Sequence, residues 1–224
     1  MEKFKLTIFE GCPLIHDGNN IMLVDTGAPQ TIHTTNSLNF LSEHFQTVTN
    51  FSGLITVASI SALFGTKITT LLGTDILSKY NVLLDYQNAE IWFSKNPFSL
   101  NLREMEISAF MNVPIIEATI NNKKMKFYLD TGAYLSYISD KITGNYESLG
   151  IKEDFFPTLG KFTTPYYEIE TNIFNENIKI KYGNLPDSIQ TALEMQNVIG
   201  VIGFDFLSKY KFILDIANKK ISIG

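Results

Sequence analysis

The sequence predicts an all-β protein assembled from two copies of one lobe, with only a few short helices. Three observations predict it. The tetrapeptide Asp25-Thr26-Gly27-Ala28 recurs as Asp130-Thr131-Gly132-Ala133, each directly after an apolar run of strand character. A longer signature, Leu71-Leu72-Gly73-Thr74-Asp75-Ile76-Leu77-Ser78-Lys79-Tyr80, recurs as Val201-Ile202-Gly203-Phe204-Asp205-Phe206-Leu207-Ser208-Lys209-Tyr210. Composition is the third: 17 Phe and 10 Tyr, with many Ile, Val and Thr, favour pleated, half-buried strands over helices.

The first lobe is placed at residues 1–96, a connector at 97–111 and the second lobe at 112–224. In the first, Lys5–Phe9 and Ile21–Val24 are expected to form a hairpin around Asp17-Gly18-Asn19-Asn20. In the second, Ile115–Ile120 and Met125–Leu129 flank a turn at Asn121-Asn122. Short helices are expected at Ser37–Leu41 and Asp187–Leu193. The stretch Phe51–Gly73 comes nearest to a membrane span, but Lys67, Gly, Ser and Thr interrupt it, and it reads as buried strands. After each longer signature, Asn81–Asp85 and Lys211–Asp215 read as strands, each followed by a turn and a further strand, Glu90–Phe93 and Lys220–Ile223. Asp75 and Asp205 are expected to cap short helices, and Asp85 and Asp215 to begin turns.

Several functions are disfavoured by composition. The net charge of −5 leaves no basic stripe to displace counterions from a nucleic acid. His16, His33 and His44 have no metal-ligand spacing with each other or with Cys12, so neither metal nor cofactor is expected. One cysteine excludes an intramolecular disulfide, and the N-terminus leads into strand-like alternation rather than an apolar leader, so the expected location is the cytoplasm.

Two carboxylates on tight glycine turns are what a paired acid–base catalyst needs. Held close enough to share a proton, they cannot both ionise easily, so one serves as base while the other serves as acid. The order of two hydrophobic residues, Asp-Thr-Gly-Ala, two further hydrophobic residues, Gly and a short helix resembles the aspartic proteases. The Ala after each Asp-Thr-Gly is similar to the retropepsin branch. The resemblance implies two retropepsin-like β-barrel lobes related by a pseudo-twofold axis, with terminal and connector strands sharing a sheet. It implies Asp25 and Asp130 as catalytic, Thr26 and Thr131 cross-bonding the two loops, and Gly27 and Gly132 allowing close approach to the carboxylates. Ala28 and Ala133 would line the substrate backbone, without the hydroxyl that pepsin-like enzymes usually place there. The Arg that often follows the second-signature Gly in retropepsins is replaced by Thr74 and Phe204.

From Gly27 to Gly73 is 46 residues and from Gly132 to Gly203 is 71, so only the second lobe has room for a flap over the cleft. The hairpin around Leu159, Gly160, Phe162 and Tyr166 is expected to supply it and to bind substrate. The leading expectation is a monomeric single-chain endopeptidase acting on a peptide or protein substrate. Its alternatives are a catalytically silent peptide-binding or regulatory module and a narrow processing protease with one substrate.

Overall fold

The structure, a computed structural model, describes all 224 residues. The chain opens with β1 (Glu2–Lys5), β2 (Thr7–Phe9), β3 (Cys12–Asp17) and β4 (Asn20–Val24). The expected turn closes β3 on β4 with Gly18 at φ 58°, but its strand partner is Cys12–Asp17 rather than Lys5–Phe9. That earlier stretch breaks at the buried Leu6, whose amide bonds to the Ala89 carbonyl (2.8 Å), so β1 and β2 enter different sheets.

Next come β5 (Ile32–His33) and the hairpin of β6 (Ser37–Phe40) with β7 (Glu43–Gln46). The helix expected at Ser37–Leu41 is therefore a strand. Leu38 and Phe40 bury on one face while Asn39 faces solvent, a period of two, and Leu41 and Ser42 at φ 52° and 63° make the two-residue turn. Helix α1 (Val57–Phe64) replaces part of the buried strands expected over Phe51–Gly73. Thr56 and Ser59 cap it reciprocally, Gly65 ends it at φ 80°, and Val57, Ile60 and Phe64 bury one stripe. The half closes with β8 (Thr70–Leu72), α2 (Thr74–Leu77), β9 (Asn81–Asp85) and β10 (Glu90–Ser94).

The rest of the chain is again mostly strands. The segment read as a connector contributes β11 (Arg103–Glu106) and β12 (Ser108–Phe110). Then β13 (Val113–Ile120) and β14 (Lys123–Leu129) close at Asn121-Asn122, at φ 50° and 60°. They are followed by β15 (Ser136–Ile138), α3 (Asp140–Thr143), β16 (Gly150–Phe156), β17 (Gly160–Ile173), β18 (Glu176–Gly183) and α4 (Asp187–Glu194), the last where a helix was expected. The chain ends with β19 (Gly200–Ile202), α5 (Phe204–Leu207), β20 (Lys211–Asp215) and β21 (Lys220–Ile223).

This mostly β chain forms three larger sheets. One runs β2-β3-β4-β8-β5 and another β12-β13-β14-β19-β15-β18-β17-β16. The third joins the halves in the order β1-β10-β9-β20-β21-β11, with β9 antiparallel to β20 at its centre. The C-terminal strand pairs with a connector strand as expected, whereas the N-terminal β1 pairs with β10. A continuous core that includes Phe40, Phe93, Phe127, Tyr182, Phe206 and Phe212 draws on both halves, and each half adds a smaller cluster of its own, around Ile32 and Ile60 in the first and Tyr137 and Val198 in the second. No helix is long and apolar enough to cross a membrane.

Candidate active site

Asp25 and Asp130 stand at equivalent ends of two parallel strand pairs. β4 lies parallel to β8 and β14 parallel to β19. The Asp25 amide bonds to the Leu72 carbonyl and the Asp130 amide to the Ile202 carbonyl, both at 3.0 Å. Each Asp-Thr-Gly loop thus leaves its sheet beside the hydrophobic-hydrophobic-Gly strand of its own half.

The two loops are locked to each other. The Thr26 hydroxyl donates to the Leu129 carbonyl (2.7 Å) and accepts the Thr131 amide (3.0 Å). The Thr131 hydroxyl donates to the Val24 carbonyl (2.7 Å) and accepts the Thr26 amide (3.0 Å). Each threonine holds the residue that precedes the opposite aspartate, and both are buried. Glycine is required next to them. A Cβ on Gly27 would come within 2.6 Å of Asp130 Oδ1, and one on Gly132 within 2.7 Å of Asp25 Cγ.

These contacts bring the two carboxyl groups together. Asp25 Oδ1 accepts the amides of Gly27 (2.8 Å) and Ala28 (3.1 Å), and Asp130 Oδ1 accepts that of Gly132 (2.7 Å). Burial pushes the Asp25 carboxyl well above the usual carboxylate range, and the neighbouring charge and hydrogen bond of Asp130 push the same way against the two amides. Burial also raises Asp130, while the Gly132 amide and the hydrogen bond from Asp25 hold it down. The pair as a unit therefore keeps one proton more readily than two isolated carboxylates would.

Asp75 and Asp205 do not cap helices as expected. Gly73 and Gly203 occupy the N-cap positions and the aspartates lie inside the first turn. Asp75 Oδ1 accepts the Thr31 amide (2.9 Å), the Thr31 hydroxyl (2.6 Å) and the Ile76 amide (2.9 Å), whereas Asp205 accepts the Lys181 amide (2.9 Å). Thr31 and Ser136 then bind the Gly73 and Gly203 amides at 3.0 Å each, tying the loop after each Asp-Thr-Gly to its glycine strand. Where retropepsins often carry Arg, the Thr74 hydroxyl bonds to the Ala28 carbonyl (3.1 Å) and Phe204 packs between Tyr86 and Tyr134.

A cavity of about 420 Å³, lined mostly by apolar side chains, opens over the pair and includes Asp25, Asp130, Ala28 and Ala133. Residues of the hairpin β16–β17 line it. Phe162 lines the cavity, but Leu159, at the outer turn, Gly160 and Tyr166 do not; Phe155, Phe156, Pro157 and Thr158 of the same hairpin do. Phe155 reaches the first half, packing against Phe64 of α1 at 6.3 Å between ring centroids. Sequence reasoning missed Asp154, which also lines the cavity and accepts a hydrogen bond from the Tyr137 hydroxyl. Burial raises its carboxyl, against the Tyr137 bond and the Phe155 amide. No local pattern in Gly150–Phe156 marks it, since the exposed neighbours are Ile151 and Glu153 while Lys152 and Phe156 share its face. Cys12 is likewise drawn in, its thiol donating to the Gly132 carbonyl at 3.1 Å. No group of His, Cys, Asp and Glu suited to holding a metal ion is present.

A mostly β chain whose two Asp-Thr-Gly loops bring their carboxyls together beneath an apolar cleft has the architecture of an aspartyl protease. The family model for the retroviral aspartyl protease matches residues 97–224, more than half of the chain, and the chain belongs to that family. The match takes in the Asp130 loop and the β19–α5 signature; the Asp25 loop lies outside it. No curated protein matches the chain.

Proposed function

We propose that this aspartyl protease is a single-chain endopeptidase whose dyad, Asp25 and Asp130, is completed within one polypeptide. The observation that carries the reading is the reciprocal locking of two Asp-Thr-Gly loops, one from each half, with both carboxyls buried and adjacent. In the singly protonated pair, the ionised carboxylate takes a proton from a water held between the two while the protonated one donates to the scissile carbonyl oxygen. Attack of that water gives a tetrahedral intermediate. Proton transfer to the amide nitrogen then releases the amine, and no covalent enzyme intermediate forms.

The two halves, divided near 96 and 112, are read as lobes related by a pseudo-twofold axis passing between β9 and β20. The order β1-β10-β9 | β20-β21-β11 supports this, since each strand has its sequence-repeat mate at the mirrored position. Duplication would then supply what retropepsins obtain from a second subunit, so the expected active species is a monomer. The β16–β17 hairpin is the single flap, and Ala28, Ala133 and Phe162 contact the substrate.

Cleavage profiling on a mixed peptide library tests the reading, with wild type and Asp25→Asn side by side at several dilutions. It predicts cuts between apolar residues that vanish in the variant, with a specific activity independent of concentration. Activity that falls on dilution, in the manner of a dissociating dimer, would contradict the single-chain site.

A further inference from the structure

Two matched turns border cavities that reach the Asp-Thr-Gly loops, and the turns carry different chemistry. In the first half Phe9 faces Cys12 across the turn Glu10-Gly11; in the second, Phe110 faces Val113 across Met111-Asn112. The register continues in step, Ile8 with Pro13 and Ala109 with Pro114. Both turns use the same backbone conformation, with Glu10 at φ 46° and Met111 at φ 50°.

Each turn borders its own cavity. One of about 410 Å³ includes Phe9, Glu10, Cys12 and Leu63; the cavity of about 420 Å³ includes Phe110, Met111, Val113 and Leu193. Gly132 and Asp154 line both, while Gly27, Asp25 and Asp130 line only the second, which is the cleft over the pair, so the two cavities meet at the dyad loops. At these matched places Phe9 and Phe110 are the same residue, as are Leu63 and Leu193, and Cys12 answers Val113. Glu10 and Met111 break the match, a carboxylate against a thioether. Glu10 belongs to none of the ion pairs of the structure. The other charges facing its cavity are Asp154, which also lines the cavity at Met111, and the pair Glu153–Lys161 (2.7 Å), so Glu10 is the carboxylate without an ion pair that only this cavity has at its turn.

We propose that Glu10 makes its end of the cleft select a Lys or Arg side chain of the bound peptide, while the Met111 end takes an apolar one, so that substrate is read in one direction. The inference rests on the proposed endopeptidase function and goes on to name the substrate class. A long cationic side chain can lay its methylene stem along Phe9 and Phe64 and bring its head to Glu10, whereas an anion there meets only repulsion. Two identical ends would bind a peptide equally in either direction; a charge at one end removes that degeneracy.

Two peptides of the same composition test it, one with Lys on one flank of the scissile bond and norleucine on the other, and one with the two exchanged. The ratio of their kcat/KM values is read in wild type, in Glu10→Gln and in the exchange Glu10→Met/Met111→Glu. Wild type should favour one order by about two- to fivefold, as expected for a rim ion pair. Glu10→Gln should bring the ratio towards one, and the exchange should invert it. A wild-type ratio near one, or a preference that survives Glu10→Gln, overturns the proposal. Calorimetric titration of the same peptides with the scissile amide reduced to CH2–NH separates the two readings. An order preference lost in Glu10→Gln, without cleavage of either parent peptide, upholds the selective end and refutes the protease; equal affinities, or no binding, refute the selective end.

Discussion

Replacing Thr26 by Val removes one hydroxyl and keeps the side-chain shape. That hydroxyl donates to the Leu129 carbonyl and accepts the Thr131 amide, at 2.7 and 3.0 Å, in a site where Thr26 is 1% exposed. Both partners are left without it in a place water cannot reach. Each buried group so orphaned costs about 1–3 kcal/mol, and because the two losses overlap the expected total is about 2–4 kcal/mol. Against a typical stability of about 5–15 kcal/mol this is a large fraction. Thr26→Ser keeps the hydroxyl and should cost only about 1 kcal/mol for the lost methyl. Urea denaturation followed through Trp92, the single tryptophan, measures both variants. Activity should fall further than stability explains, since Leu129 directly precedes Asp130 and a loosened loop misplaces the carboxyl. Thr26→Val within about 0.5 kcal/mol of wild type, or equal to Thr26→Ser, would refute the view that the threonine hydroxyls join the loops.

Asp25→Asn should stabilise the folded protein at neutral pH. The folded-state pKa is raised, so ionisation opposes folding from the unfolded carboxylate pKa upward and most strongly above the folded one; each tenfold change in proton affinity is worth about 1.4 kcal/mol. Thermal denaturation should show the variant gaining over wild type as pH rises from about 4 to 8, and no gain would contradict the buried, proton-sharing pair. For the same reason cleavage should be fastest in weak acid, on the order of pH 4–6.5, and an optimum in strong acid would argue against it. Asp75→Ala, which strands the Thr31 amide and hydroxyl, should cost about 2–4 kcal/mol, against about 1–2 kcal/mol for Asp205→Ala, which strands the Lys181 amide, by urea denaturation. Replacing Phe155-Phe156-Pro157 by Gly-Ser-Gly should raise KM and lower kcat together as the cover over the cleft is lost; steady-state kinetics with both constants unchanged would mean that the hairpin does not close on substrate.

The Asp-Thr-Gly and hydrophobic-hydrophobic-Gly signatures were legible because backbone geometry forces them. Glycine next to a facing carboxylate and threonine between two loops have few substitutes, so sequence alone pointed to the residues that meet in space. Helix α1 was not legible, because Ile-Thr-Val-Ala-Ser-Ile mixes small and β-branched residues whose strand propensity is overridden by a Thr56–Ser59 capping box and a Gly65 stop. Ser37–Leu41 misled in the opposite sense, its strand being fixed by the turn at Leu41-Ser42. The roles of Asp75 and Asp205 depend on partners 44 and 24 residues away, which no local pattern reveals. The equivalence of Phe9-Glu10-Gly11-Cys12-Pro13 with Phe110-Met111-Asn112-Val113-Pro114 was present in the sequence, but the second half carries a longer β13–β14 hairpin that shifts the repeat out of register with the Asp-Thr-Gly spacing.

The most direct measurement is single-turnover cleavage by Asp25→Asn, Asp130→Asn and the double variant, with circular dichroism to show that each is folded. The account predicts that each single change lowers the rate by several thousandfold or more, and that the double variant is about as slow as either single one, because the two carboxyls act as one proton-sharing unit. A single variant keeping more than about a tenth of the wild-type rate, or two losses that multiply in the double variant, would contradict it.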